Sequence, residues 1–326
     1  MSLNNKNILI TGGTGSFGNA FATYVLKNYR PRKIIIFSRD ELKQSIMQVK
    51  FKHYKNIRFF IGDVRDFSRL DLACREVDII VHAAALKQVP AAEYNPTEFI
   101  NTNINGAKNL ISAALKNKVD KILALSTDKA AAPINLYGAT KLVSDKLFIA
   151  ANNYSGRQRI RFSIVRYGNV VDSRGSVIPL FKEIIKNKGK IFPITNPEST
   201  RFLITLNEGV KFVIQSLTLM NGREIFIPKM KSFKITSLAK TLLKTCKFKI
   251  IGLRPGEKLH EILFSKDESN NVIEFKKYYV LLPSSMINKK TPINKFKEKG
   301  IKLKYGFDYS SKNTSNDKFL KDKILP

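Results

Sequence analysis

Residues 6–18 read Lys-Asn-Ile-Leu-Ile-Thr-Gly-Gly-Thr-Gly-Ser-Phe-Gly, a short apolar run passing directly into glycines at positions 12, 15 and 18. Such a run predicts a strand, and Asn19 to Lys27 continues as a helix. Glycines at that junction permit a tight turn, close approach of the backbone to a pyrophosphate, and close packing of helix on strand. Phosphates then sit at the helix N-terminus, where backbone N–H groups lack partners. A glycine triplet alone is a weak sign. Following a strand and preceding a helix, Gly12, Gly15, Ser16, Phe17 and Gly18 predict a dinucleotide site.

Six more apolar runs follow: Lys33–Phe37, Ile57–Ile61, Ile79–His82, Lys121–Ser126, Arg161–Arg166 and Glu224–Ile227. With Ile8–Ile10 they make seven strands, most alternating with helical stretches. That alternation predicts a parallel sheet buried on both faces, a doubly wound, Rossmann-like α/β fold. Helical periodicity over Thr102–Lys116 and Gly138–Asn152 predicts two long helices. Beyond Tyr167 the pattern changes: Ser173–Pro179 contains Gly, Ser and Pro, helices are predicted over Ile178–Lys188 and Leu206–Met220, and Arg254–Lys258 interrupts a mixed region. The expected division is a dinucleotide-binding domain over residues 1–170, completed by the strand near 224–227, and a smaller substrate lobe over 171–326. From about Lys289 the chain is rich in Lys, Asn and Ser and is expected to pack loosely.

Charge would steer this reading elsewhere. Lys and Arg number 57 against 26 acidic residues, a net +31, which by itself suggests nucleic acid or an anionic membrane. The lysines are spread along the whole chain, however, and no zinc, helix-turn-helix or RNA-binding signature accompanies them. No nucleic-acid or membrane partner is expected; a basic surface instead steers polyanionic small molecules to their clefts. No apolar run approaches the ~20 residues of a membrane span, and the N-terminus lacks a signal-peptide pattern, so a cytoplasmic protein is expected. Cys74 and Cys246 lack metal-ligand spacing and are expected to be reduced and inert, with no metal site.

Chemistry enters with Ser126-Thr127-Asp128-Lys129 and Tyr137-Gly138-Ala139-Thr140-Lys141. Tyr137 and Lys141 lie four residues apart and share a helix face, so the ammonium can sit beside the phenol and favour the phenolate. Tyr137 can then take a proton from a hydroxyl while hydride leaves the same carbon for a nicotinamide. Asp128 and Lys129 add an acid and a base; the competing reading is a solvated turn. A lysine base needs a depressed pKa, which burial and Lys141 favour and pairing with Asp128 opposes.

At the tip of the second strand, Ser38-Arg39-Asp40 and then Lys43 favour NADP over NAD, because Arg accommodates the extra phosphate whereas an acid grips the ribose hydroxyls. Asp63-Val64 suits either an adenine contact or a helix N-cap at Asp63. Ala83-Ala84-Ala85 offers a floor of small residues to a cofactor.

With these residues assembled, the chain resembles the extended short-chain dehydrogenase/reductases and, within them, the inverting UDP-N-acetylglucosamine 4,6-dehydratases of pseudaminic acid synthesis. The resemblance runs from about Asn7 to at least Tyr279. It rests on Ile8–Gly18, Ser38–Gln44, Phe60–Arg65, Ser126–Lys141, Arg166–Val171, Ser173–Val177 and Arg254–Glu261. It implies that Tyr137 and Lys141 oxidise carbon 4 of the sugar, that Lys129 removes the carbon 5 proton, that Asp128 protonates the departing hydroxyl, and that Thr127 holds the carbon 4 hydroxyl. It implies further NADP contacts at Glu41, Leu42, Gln44, Lys87, Leu125 and Ser126, with Val170, Val171, Asp172, Ser173 and Arg174 closing over the nicotinamide side. Lys87, Asn169, Val177, Thr195, Arg254 and Glu257 would meet the UDP-sugar, with Arg201 a further phosphate candidate. A homo-oligomer, dimer to hexamer, is implied through apolar faces on Thr102–Lys116 and Gly138–Asn152. Where the family commonly has His, Asn, Gly and Trp, this chain has Gln88, Ala132, Asp172 and Leu203. Rival readings are a retaining 4,6-dehydratase, a nucleotide-sugar 4-epimerase, for which Asp128–Lys129 would be superfluous, and a non-catalytic basic NADP-binding scaffold.

Overall fold

Seven Ile-, Val- and Phe-rich strands lie parallel and adjacent: β1 (Asn7–Thr11), β2 (Lys33–Ser38), β3 (Ile57–Ile61), β4 (Ile79–His82), β5 (Lys121–Thr127), β6 (Arg161–Tyr167) and, after three strands outside this sheet, β10 (Ile225–Pro228). They are the seven runs predicted from sequence. The computed structural model describes residues 3–156, 159–171, 176–284 and 300–314, with Leu320 and Ile324. The sheet order is β3-β2-β1-β4-β5-β6-β10, so the chain reverses direction of winding at β1/β4. In sheets of this kind ligands bind beyond the carboxyl ends of the strands at that switch point.

Helices cover both faces, so residues along the inner strands β1, β4 and β10 are buried without alternation, whereas the edge strand β3 leaves Arg58 and Ile61 exposed. Ile8, Leu9, Ile10, Ile34, Ile36, Ile80, Ile122, Phe162 and Phe226 all fall in one continuous core with Phe21 and Phe148. Each such side chain contributes about 1.5–3 kcal/mol on burial.

Three further strands extend the sheet beyond β10, antiparallel to their neighbours: β15 (Tyr278–Leu281), then β14 (Val272–Glu274), then β16 (Ile301–Lys302). Outside it, β7 (Asn169–Val170), β9 (Thr200–Ile204) and β11 (Lys231–Lys234) form one small sheet, β8 (Ile191–Ile194) pairs with β12 (Lys247–Ile250), and β13 (Ile262–Phe264) pairs with β17 (Tyr309–Ser310). A second core cluster holds Phe181, Phe192, Leu203 and Leu238. Leu203 is therefore a packing residue.

Three expectations are corrected here. The long helix expected from Thr102 begins as a π-helical turn, Ile100–Asn105, and becomes α-helical at Gly106; from the widened turn Asn103 brackets the N–H and carbonyl of Leu86 and reaches the Thr140 hydroxyl. The apolar face of Gly106–Lys116 (Ala107, Leu110, Ile111, Ala113, Ala114) is consumed by this chain's own core, which leaves Val143 as the large exposed apolar side chain on the two helices. The described part of the C-terminal tail does not pack loosely: Tyr309 is buried on Phe202 and Phe264, and Leu320 and Ile324 join the second core. Isolated apolar anchors there outweigh a polar average.

His82 closes β4, fully buried against the Thr11 hydroxyl at 2.7 Å. Burial first, then Lys141, pushes its pKa down to about 3 from 6.5. Below pH 6.5 the unfolded chain binds a proton that the folded chain refuses, so acid favours unfolding by about 1.4 kcal/mol per pH unit in that window. Stability is expected to fall from pH 6.5 downward, and His82→Gln to flatten that slope in denaturant titrations.

Candidate active site

A cavity of 1450 Å³ runs from the glycine turn to the smaller sheets, larger than the ~300–1,000 Å³ usual for one small ligand. At one end Gly12 sits at φ +64°, and a Cβ there would stand 2.8 Å from the Ala84 backbone. The helix Ser16–Asn28 starts at Gly15 with no side-chain cap, so its first N–H groups face the cavity beside Ser16 and Phe17. Gly18 lies off the cavity, packed on Gly13.

Ser38, Arg39, Asp40 and Lys43 line the same end. Asp40 is spent on structure: it caps Glu41–Lys50 by accepting from the Lys43 N–H at 2.9 Å and meets the Lys43 ammonium. Arg39 is more than half exposed, with Asp63 3.6 Å away. Glu41, Leu42 and Gln44 do not reach the cavity. Leu42 points to solvent, and Gln44 is buried between the Ser38 and Phe60 carbonyls. Asp63 turns the chain by accepting from the Arg65 N–H and guanidinium, while the helix cap falls to Asp66. Asp63, Val64, Ala83, Lys87, Leu125, Ser126 and Val170 line the cavity, whereas Val171 packs on the second core. Asp172, Ser173 and Arg174 lie outside the described residues.

The candidate acid, base and phenol gather where β5 ends in a 3-10 turn, Asp128–Ala130. Lys129 Nζ lies 3.1 Å from Asp128 Oδ1 and 2.9 Å from Glu261 Oε1. Burial pulls its pKa down, but the two carboxylates outweigh burial and hold the ammonium above the ordinary lysine range. The balance left open by sequence falls toward the charged form. Asp128 is wholly buried and does not line the cavity; its Oδ1 also accepts from the Thr127 hydroxyl at 2.9 Å. Burial raises its pKa against the pull of Lys129, and Glu261 raises it further, a direction that suits a proton donor.

Tyr137 lines the cavity from the helix Leu136–Ala151. Burial pushes its phenol up to about 12, opposed by Lys129 and by a hydrogen bond with Thr127. The cation acting on this phenol is thus Lys129. Lys141 instead donates to the Leu125 carbonyl at 2.8 Å, and burial lowers its pKa. Behind it Asp145, one turn on, accepts from Ser126 at 2.8 Å and pairs with the buried Arg166. Ala132, just past the catalytic turn, adopts φ +42°, a region that Asn tolerates better than Ala.

At the far end Asn169, Val177, Thr195, Arg201, Arg254 and Glu257 all line the cavity. Arg201 and Glu257 are mutually engaged at 2.6 Å, and Glu257 also accepts from Thr195 and from the Arg254 N–H. Gln88 lines the wall as well. Sequence reasoning missed Glu261, Asp145 and Arg166 as site residues; the only available signal was an acid closing the string Arg254–Glu261.

A family described as polysaccharide biosynthesis protein matches residues 8–283. The chain is 55% identical over 325 residues to the UDP-N-acetylglucosamine 4,6-dehydratase (inverting) of Campylobacter jejuni subsp. jejuni serotype O:23/36 (strain 81-176), covering 99% of this chain and 96% of that protein. It is 46% identical over 281 residues to a UDP-glucose 4-epimerase of Rickettsia bellii (strain OSU 85-389), covering 84% and 82%. Among solved structures, Pen from Bacillus thuringiensis superposes with a TM-score of 0.91 at 35% identity, over 100% of this chain and 98% of that one.

Proposed function

The chain belongs to the extended short-chain dehydrogenase/reductases of polysaccharide biosynthesis, and from that membership we propose that it dehydrates UDP-N-acetylglucosamine to a UDP-4-keto-6-deoxy sugar with inversion at carbon 5. The observation that carries the reading is Lys129, flanked by carboxyl groups and set beside Tyr137 on the cavity wall, in a chain 55% identical to an inverting dehydratase. A 4-epimerase, the name borne by the Rickettsia relatives, needs the tyrosine but no acid and base for elimination.

The uncapped helix at Gly15 and the close approach at Gly12 fit a dinucleotide, and NADP is proposed because Arg39 stays largely exposed while Asp40 is committed to a helix cap. The proposed division keeps residues 1–170 with the strand near 224–227 for this cofactor and most of 171–326 for the sugar nucleotide. A bound nicotinamide would supply a hydride acceptor for carbon 4 and a hydride donor for carbon 6. Tyr137, its phenolate favoured by Lys129 and Thr127, takes the carbon 4 hydroxyl proton. The resulting ketone acidifies carbon 5, whose proton Lys129 removes while Asp128 supplies the proton that lets the carbon 6 hydroxyl leave as water. Asp128 does not reach the cavity, so the Thr127 hydroxyl, which donates to its carboxyl in this structure, would turn to accept the Asp128 proton and release its own to the carbon 6 hydroxyl. Carbon 5 then takes a solvent proton on the opposite face, which completes the inversion; the proton on Lys129 returns to Asp128 and the proton on Tyr137 is released to solvent. Arg254, Arg201 and Lys87 supply positive charge for the diphosphate. A homo-oligomer acting in the cytoplasm belongs to the same proposal.

Denaturing the purified protein is expected to release NADP, identified by chromatography; NAD alone would overturn the reading of Arg39 and Lys43. Incubation with UDP-N-acetylglucosamine in heavy water, followed by proton NMR, is expected to show a new carbon 6 methyl group and deuterium at carbon 5. Appearance of the 4-epimer with no methyl group would establish the epimerase instead.

A further inference from the structure

Glu261 precedes β13, 132 positions from Lys129 in sequence, yet its Oε1 lies 2.9 Å from the Lys129 ammonium. Its backbone is pinned on both sides, the N–H donating to the Ser311 hydroxyl at 2.9 Å and the carbonyl accepting from the Ser311 N–H at 2.8 Å. The side chain is 2% exposed, lines the cavity, and leaves Oε2 buried without a hydrogen-bond partner. An unpaired buried carboxylate oxygen is costly unless a proton or a ligand reaches it. Its other neighbour is Arg201, 3.8 Å away, which at the same time grips Glu257 on the cavity wall.

This arrangement sets a problem for the proposed reaction, on which the inference rests. A base must be neutral, and Lys129 between two carboxyl groups is charged. We infer that Glu261 is the positioning residue that takes the surplus proton of Lys129 once the substrate diphosphate neutralises Arg201. Ammonium and carboxylate become amine and carboxylic acid: an N–H bond breaks with its electron pair left on nitrogen, and an O–H bond forms on Glu261. The amine lone pair then accepts the carbon 5 proton, and no other reactant is consumed. The charged groups facing Glu261 are Lys129, Arg201, Lys258 and Asp128; those facing Lys129 are Asp128, Glu261, Arg201, Tyr137, Lys87 and Lys258. Besides Lys129 itself, Arg201 is the cation within 4 Å of Glu261 among the described residues, and it lines the cavity. Burial raises the Glu261 pKa, but the two cations outweigh burial and hold the carboxyl below the ordinary carboxylate range, so an anion placed on Arg201 raises the proton affinity of Glu261 without any motion of the backbone.

The test compares wild-type holoenzyme with Glu261→Gln, which keeps the shape and cannot take the proton, and with Glu261→Asp. With UDP-N-acetylglucosamine in single turnover, Glu261→Gln is expected to form reduced nicotinamide as fully as wild type and to eliminate water at least 100-fold more slowly, with KM changed less than about threefold, and Glu261→Asp to recover part of the rate. Elimination by Glu261→Gln should rise about tenfold per pH unit toward alkaline pH, because solvent must take the proton, while wild type stays flat. Near-wild-type elimination by Glu261→Gln, or a slow rate that ignores pH, overturns the inference. A wild-type enzyme that never reduces its nicotinamide with this sugar fails the functional reading instead. Infrared difference spectra with inorganic pyrophosphate then decide on Glu261 alone: a carboxylic acid band gained by wild type and missing in Glu261→Gln supports it, and no gain in wild type overturns it.

Discussion

Lys129→Ala, mixed in a single turnover with UDP-N-acetylglucosamine, is expected to build up reduced nicotinamide and release no dehydrated sugar. Removal of the carbon 5 proton requires that amine outright, and losing a general base costs roughly 10² to 10⁴ in rate; hydride transfer loses only the cation beside Tyr137, so it slows less and reduced nicotinamide still accumulates. Tyr137→Phe is expected to give the opposite record, with no reduced nicotinamide, because the phenol is needed before hydride can leave. Removing Lys129 strands Asp128 and Glu261, two buried carboxyl groups, beside each other without their cation, and they are expected to hold a proton between them. Stopped-flow absorbance follows the nicotinamide, and the amount of nucleotide that copurifies shows that the fold has survived. Product formed at near wild-type rate by Lys129→Ala would make the Asp128–Lys129 turn a structural element.

The second large effect falls on the fold. At Gly18 an added Cβ would stand 2.3 Å from the Gly13 carbonyl oxygen and 2.5 Å from its Cα. Both are backbone atoms in the turn that cradles the dinucleotide, so nothing flexible can yield. Gly18→Ala is expected to cost about 3 kcal/mol, lowering the melting temperature by roughly 4–5 °C in a chain of 326 residues, and to abolish copurified nucleotide. Gly209 is the control. It sits inside the helix Leu206–Leu219, and an added Cβ there would meet no atom within 4 Å, so Gly209→Ala is expected to be neutral or stabilising by up to about 1 kcal/mol. Equal melting shifts in the two variants would refute the packing argument.

The inner parallel strands were legible because strands buried on both faces carry unbroken apolar runs between helices, and the edge strand β3, although partly exposed, kept the apolar residues Ile57, Phe59, Phe60 and Ile61. The glycine turn and the Tyr137–Lys141 helix were legible for a related reason, since each is specified within about twenty residues. What could not be read was set by contacts between distant segments. Glu261 meets Lys129, Asp145 meets Arg166, and Lys258 donates to the Ala131 carbonyl at 2.7 Å; no local pattern announces such pairs. Short-range competition hid other outcomes. Asp40 and Asp66 went to helix caps, and Gln44 turned inward although it lies in the string that resembles a cofactor loop. Asp128 was expected on the cavity, yet at the end of β5 it is wholly buried behind Thr127 and Lys129. The antiparallel β14 was missed because it is only three residues long, and β15, as short as the legible β4 and β10, because it follows β14 directly with no helix between them.

The antiparallel strands at the sheet edge also bear on how the chain is made. When β10 leaves the ribosome the parallel part of the sheet has all its strands, but the partner of β10 is β15, about fifty residues further on. At about 5–20 residues per second, that flank waits roughly 3–10 s with its backbone groups unpaired. Glu261 waits longer, since its backbone is held by Ser311. A nascent chain therefore owns its glycine turn well before Lys129 has both of its carboxylate neighbours, and translation itself imposes the order in which the two ends of the cavity are completed.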